Sequence, residues 1–94
     1  MLFIVKSAPD TPEGKRGITM ARDAAANNVV LIQNAVYFAL TDILEGLPGI
    51  VYALEDDVRL RGLNNDDLKG DIRKLSYDGF IDLMVETDRI VGIF

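Results

Sequence analysis

Residues 29–62 read VVLIQNAVYFALTDILEGLPGIVYALEDDVRLRG, and the stretch passes twice from a strand-like run into a helix-like pattern. Residues 29–33 make an apolar, largely β-branched run that ends at Gln33, as in a strand buried on both faces. From Asn34 the apolar residues Val36, Ala39, Leu40, Ile43, Leu44 and Leu47 recur at helical spacing, which predicts an α-helix. Residues 49–54 form a second strand run. Glu55, Asp56 and Asp57 then stand where a helix would begin, Arg59 and Arg61 fall in its last turn, and Gly62 offers the stop. That charge order suits the helix dipole at both ends. Two successive βα units imply a parallel sheet, because parallel neighbours need a crossover connection.

Working outward, residues 2–6 read as the first strand and residues 7–10 as the loop leaving it. Thr11 suits an N-cap, Pro12 the first helical position and Glu13 the first turn, so a helix is expected from Pro12 to about Ala26, ended by Asn27 and Asn28. Its narrow apolar face would be Ile18, Ala21, Ala24 and Ala25. Beyond Gly62 the chain is polar and irregular, with residues 64–67 forming one short turn before Gly70. Residues 72–75 make a fourth strand. Ser76 caps a final helix with Phe80, Leu83, Met84 and Thr87 on one face, widened by Ile81 and Val85. The tail, residues 89–94, is either a fifth strand or a segment packed across a neighbour; Phe94 belongs to the core or to an interface. The fold class is thus α/β: a single domain over residues 1–94, a three-layer open sheet of four strands, or five with the tail, mainly parallel, with helices on both faces.

Ninety-four residues build one small domain whose burial leaves a narrow stability margin, so contact with another subunit is expected. Ten basic and fifteen acidic residues give a net charge of −5, which argues against direct nucleic-acid binding, since that affinity rests on neutralising phosphates. The pairs Lys15-Arg16 and Arg59/Arg61 read as solvated helix surface. The first residues lack a basic lead and a small-residue cleavage site, and no apolar run is long enough to cross a bilayer, so the expected location is cytoplasmic, away from the membrane.

Cysteine and histidine are both absent. There is accordingly no disulfide, no thiolate or imidazole metal ligand, no Ser-His or Cys-His nucleophile pair and no side chain whose ordinary titration falls near neutrality. Glycine-rich phosphate loops are missing too, so no nucleotide cofactor or metal is expected, and the chain does not read as an enzyme.

Ligands of open α/β sheets meet the loops at the carboxyl ends of the strands. Those loops carry Ser7, Asp10, Gln33, Asn34, Glu55, Asp56, Ser76 and Tyr77, of which Ser7, Gln33, Asn34, Asp56 and Tyr77 are the candidate partner-facing rim. Gln33 and Asn34 could orient a partner loop or a substrate amide. The plainer alternative makes Asn34 a helix cap and lets Gln33 satisfy exposed backbone. The acids 55–57 have a structural reading at a helix start, since consecutive residues point in different directions. Tyr37 and Phe38 are candidate oligomer contacts together with Phe94, while Tyr52 and Tyr77 read as core-edge residues.

The segments VVLIQNAVYFAL, VYALEDDVRLRGL and SYDGFIDLMVE, in this order, resemble the DsrH/TusB family of small sulfur-relay proteins within the DsrE/F/H superfamily. The likeness runs from the first strand through the last helix. Where that family usually reads Gln-Asp/Asn-Gly-Val after the second strand, this chain has Gln33-Asn34-Ala35-Val36. The resemblance implies a subunit that assembles with DsrE-like (TusD) and DsrF-like (TusC) chains and supports persulfide transfer toward wobble-uridine 2-thiolation of tRNA or toward sulfur oxidation. Without a thiol this chain could only scaffold, orient or regulate a cysteine-bearing partner. The competing expectation is a self-associating structural or binding module of the same fold with no sulfur-transfer role.

Overall fold

The computed structural model describes residues 1–69 and 71–94. Five strands, β1 (Leu2–Val5), β2 (Asn28–Leu31), β3 (Ile50–Leu54), β4 (Ile72–Leu75) and β5 (Ile90–Ile93), form one sheet in the order β4-β3-β2-β1-β5, and every neighbouring pair is parallel. The tail is therefore the fifth strand, and all five carboxyl ends lie along one edge of the sheet. Gly70, expected to close the short turn, lies outside the described residues.

Period-two alternation in the strands sorts the core into two layers. Phe3, Val29, Val51 and Ile72 align across the sheet on one face, where α1 (Pro12–Asp23), the 3-10 helix Gln33–Leu40 and α2 (Glu55–Leu60) cover them. Ile4, Val30 and Tyr52 align on the other face, under α3 (Tyr77–Glu86) alone, whose Phe80, Leu83 and Met84 pack down on Leu2, Ile4, Val30 and Leu54. Right-handed crossovers dictate this three-to-one division: the first three connections step in one direction along the sheet, and the fourth returns across it. Fully burying a side chain such as Ile18 or Leu31 contributes about 2 kcal/mol.

α1 starts as its sequence requires. Thr11 Oγ1 accepts the Gly14 N–H at 3.1 Å and donates to the Ala8 carbonyl at 2.7 Å, with Pro12 at the first helical position. It ends earlier than Ala26. Ala25 adopts a left-handed conformation (φ 51°), letting its N–H reach Arg22 O and the Ala26 N–H reach Ala21 O, the paired bonds of a Schellman stop. Ala24 and Ala25 consequently face solvent, and the buried stripe is Gly14, Gly17, Ile18 and Ala21. α2 stops as expected at Gly62 (φ 66°).

The segment after β2 is a 3-10 helix and not an α-helix, and residues 41–49 are turns and bends. Its burial repeats every three residues, with Ala35 and Val36, then Phe38 and Ala39 inside and Tyr37 outside. Side chains at i and i+3 eclipse in a 3-10 helix, so this repeat keeps both buried pairs on the core. Phe38 is fully buried, which removes it from the candidate oligomer contacts.

At the β5 edge, the ladder to β1 shifts at Gly92 (φ 49°), so that Ile90 pairs with Leu2 and Ile93 with Ile4. This bulge turns both isoleucines to the α3 side and sends Phe94 to the opposite core, where its ring stacks on Phe3 with centroids 5.9 Å apart. Phe94 is thus a core residue. Ile81 and Val85, in contrast, do not widen the buried face of α3: both are exposed, Val85 to 80%.

Candidate functional site

All five carboxyl strand ends contribute to one rim, and its centre is a network that joins the ends of β2 and β3. Gln33 leaves β2 in a left-handed conformation (φ 50°), a costly geometry for a residue with a Cβ, and its N–H donates to Asp57 Oδ2 at 2.8 Å. Asp57 sits in the first turn of α2. One turn on, Arg61 donates to the Asp57 main-chain oxygen at 3.3 Å and to Oδ1 at 3.4 Å, and reaches across with Nε and Nη2 to Asn34 Oδ1 at 3.1 and 3.0 Å. The Asp57 and Arg61 side chains are only 16% and 21% exposed, so this pair is better shielded than a surface ion pair.

Asn34 does not cap the following helix, whose N-cap position is Ile32 with no side-chain hydrogen bond. Instead its carbonyl oxygen is fixed by Arg61, which fixes the plane of the amide and leaves its NH2 as the group that can meet a partner. Gln33 and Asn34 are both exposed, so two carboxamides project from a held backbone. Ala35 places its Cβ in the core at 0% exposure, so the methyl is accommodated, while its N–H donates to Ile32 O and to Lys6 O and ties the β1 and β2 exits together.

The remaining candidates lie apart from this network. Ser7 is half-buried, and its N–H, like that of Lys6, donates to Phe94 O, closing the gap between β1 and β5. Asp56 pairs with Arg59 at 2.9 Å on the solvated face of α2, the structural role expected of a helix-start acid. Asp10 and Glu55 are exposed. Ser76 Oγ caps α3 by accepting the Gly79 N–H at 3.0 Å. Tyr77 is 57% exposed and so is a surface residue, not a core-edge one; Tyr52 packs against the core under α3. Tyr37 stands partly exposed.

Asp57 and Arg61 are the rim residues that sequence reasoning passed over. Their i, i+4 spacing was readable; the bonds to Gln33 and Asn34, made by residues 24 and 27 positions away, were not. A cleft of about 360 Å³ beside the network is lined by residues that include Glu55, Arg59, Asn64, Asn65 and Lys74. A larger cavity of about 590 Å³ lies at the opposite, amino ends of β3 and β4. Among the described residues no three potential metal ligands cluster, and no helix is long and apolar enough to cross a membrane. The rim offers hydrogen-bonding amides and a guanidinium-carboxylate pair, and no thiol or imidazole to act as nucleophile or base.

Comparison with known proteins agrees with this architecture. No curated protein matches the chain. Two solution NMR structures of the Thermotoga maritima protein Tm0979 do: one at 35% identity and a TM-score of 0.71, covering 97% of this chain and 98% of that one. The other, described as a proposed sulfur transferase, matches at 37% identity and a TM-score of 0.63 and covers 98% of this chain and 100% of that one. The family model described as DsrH like protein matches residues 16–90. Sequence and fold therefore agree that the chain belongs to the DsrH-like family.

Proposed function

We propose that this protein is a non-catalytic subunit of a sulfur-relay assembly, supporting persulfide transfer on a cysteine-bearing partner. The observation that carries the reading is a DsrH-like chain with no cysteine. Carrying sulfane sulfur requires a thiolate that can form a persulfide, and this sequence has none. Its contribution is then to bind and orient: the carboxamides of Gln33 and Asn34, held by Asp57 and Arg61, meet a partner loop at the strand ends. The description of Tm0979 as a proposed sulfur transferase supports the same chemistry.

The partners in this reading are DsrE-like (TusD) and DsrF-like (TusC) chains in the cytoplasm, and the end use is wobble-uridine 2-thiolation of tRNA or sulfur oxidation. With a net charge of −5, this subunit leaves any RNA contact to its partners. The test is to mix the purified chain with recombinant DsrE-like and DsrF-like chains from the same genome and examine the mixture by native mass spectrometry. A hetero-complex supports the reading. A stable homo-oligomer indifferent to both chains supports the self-associating module instead.

A further inference from the structure

α2 serves two surfaces. Asp57 and Arg61, four residues apart, make the rim network on one side of it, while Glu55, Val58 and Arg59, at i, i+3 and i+4, line the cleft of about 360 Å³ on the other. The chain leaving α2 adds Asn64 and Asn65, and Lys74 of β4 completes the lining. Lys74 lies opposite Ala53, two residues before α2 begins, and alternation with Ile72 turns it to the α2 side of the sheet. The cleft is therefore at the same carboxyl edge as the Gln33 and Asn34 amides, separated from them by the width of one short helix.

The polar groups of this cleft are free to meet a visitor. Arg59 and Arg61 are each held by an aspartate, whereas Lys74 takes part in no ion pair among the described residues. Asn64 occupies the N-cap position of the 3-10 turn Asn65–Asp67 without a side-chain bond to it. Glu55, Asn64, Asn65 and Lys74 are all exposed. Two cations and two carboxamides thus face one carboxylate. A free inorganic anion has no use for Glu55, and a basic peptide would meet Lys74 and Arg59. A peptide loop with an anionic tip suits both signs: its main-chain N–H groups find acceptors in Glu55 and the amide oxygens, and its tip finds Lys74.

Building on the relay reading above, we propose that this cleft receives the tip of the partner's cysteine loop and that Lys74 is the cation set against its sulfur. When sulfur is passed on, an acceptor thiolate attacks the terminal sulfur of the partner's persulfide. A new S–S bond forms on the acceptor, the S–S bond to the partner's cysteine breaks, that cysteine leaves as a thiolate, and the sulfur that moves keeps its proton. Sulfane sulfur is exchanged between two thiols, so no outside oxidant or reductant enters. An ammonium beside the leaving cysteine stabilises the charge that appears there, and it equally favours the thiolate that takes up sulfur in the first place. Lys74 itself forms no bond to sulfur.

The experiment is a pH titration of thiolate absorbance for the recombinant DsrE-like subunit, alone and in its complex with this chain. Because this chain has no cysteine, the signal reports the partner alone. The midpoint in the wild-type complex is expected about one pH unit or more below that of the free subunit, a tenfold gain in thiolate at lower pH. Lys74→Gln changes an exposed side chain, so the fold, checked by circular dichroism, and the complex, checked by native mass spectrometry, should persist while the midpoint returns toward the free value. Lys74→Arg should keep the lowered midpoint. An unlowered midpoint in the wild-type complex, or the same lowered midpoint with Lys74→Gln, would overturn the proposal and leave the relay reading standing. Loss of the complex in Lys74→Gln that Lys74→Arg does not restore would make the residue structural and sink the proposal too. If the wild type binds neither relay chain, the relay reading falls and takes the proposal with it.

Discussion

The carboxylate of Asp57 accepts the main-chain N–H of Gln33 at 2.8 Å, joining the first turn of α2 to the left-handed residue that ends β2. This bond does two things. It satisfies a donor that the turn away from the sheet leaves without a ladder partner, and it holds a strained backbone in the one conformation that presents the Gln33 and Asn34 amides together.

Asp57→Ala removes the acceptor for Gln33 and the partner of Arg61 at once, and is expected to cost about 1–2 kcal/mol of stability in urea unfolding. Asp57→Asn keeps an acceptor oxygen and should cost about half as much. Equal losses for the two variants would show that the ion pair with Arg61, and not the bond to Gln33, is what matters.

Ala25 ends α1 with a positive φ that glycine adopts without a steric penalty. Ala25→Gly should therefore raise stability by about 1 kcal/mol, against the destabilisation glycine brings at most helical positions. A lower melting temperature for this variant would contradict the left-handed stop.

Phe38 and Tyr37 are neighbours with opposite fates. Phe38→Ala opens a cavity in the core and should cost about 3–5 kcal/mol, enough to unfold much of the population at ambient temperature. Tyr37→Ala should cost about 1 kcal/mol or less, since its ring is already partly in water. Comparable losses at the two positions would mean that the 3-10 register is wrong.

The tail is held by ring stacking and by a missing side chain. A Cβ at Gly17 would stand 2.7 Å from the Cβ of Phe94, so Gly17→Ala should push β5 outward and cost about 1–3 kcal/mol. Phe94→Ala gives up the stacking on Phe3 and should cost about 2 kcal/mol. In both variants amide exchange should quicken in β5 first; exchange unchanged in β5 would detach Phe94 from the core.

Much of this architecture could be read from particular residues. Thr11 with Pro12, Ser76, the acids 55–57 and Gly62 each carry a local mechanism, and the structure shows the caps and stops that those mechanisms imply. The 3-10 helix was misread because Val36 and Ala39 fit a 3.6-residue period as well as a three-residue one; the burial of Phe38 and the exposure of Leu40 separate the two. Ile81 and Val85 suggested a broad buried face, but a single helix on its side of the sheet buries only the residues directly beneath it. The rim network was invisible for another reason. Asn34–Arg61 and Gln33–Asp57 exist only because parallel crossovers bring the ends of β2 and β3 side by side, and nothing local to either residue announces a partner more than twenty positions away.

The most direct test of the central claim is to incubate the chain with its recombinant DsrE-like and DsrF-like partners and a sulfane-sulfur donor, then to weigh each intact polypeptide. The account predicts one complex in which the mass of added sulfur appears on a cysteine-bearing partner and never on this chain. Sulfur bound covalently to this polypeptide, or sulfur loading that proceeds identically with and without it, would contradict the account.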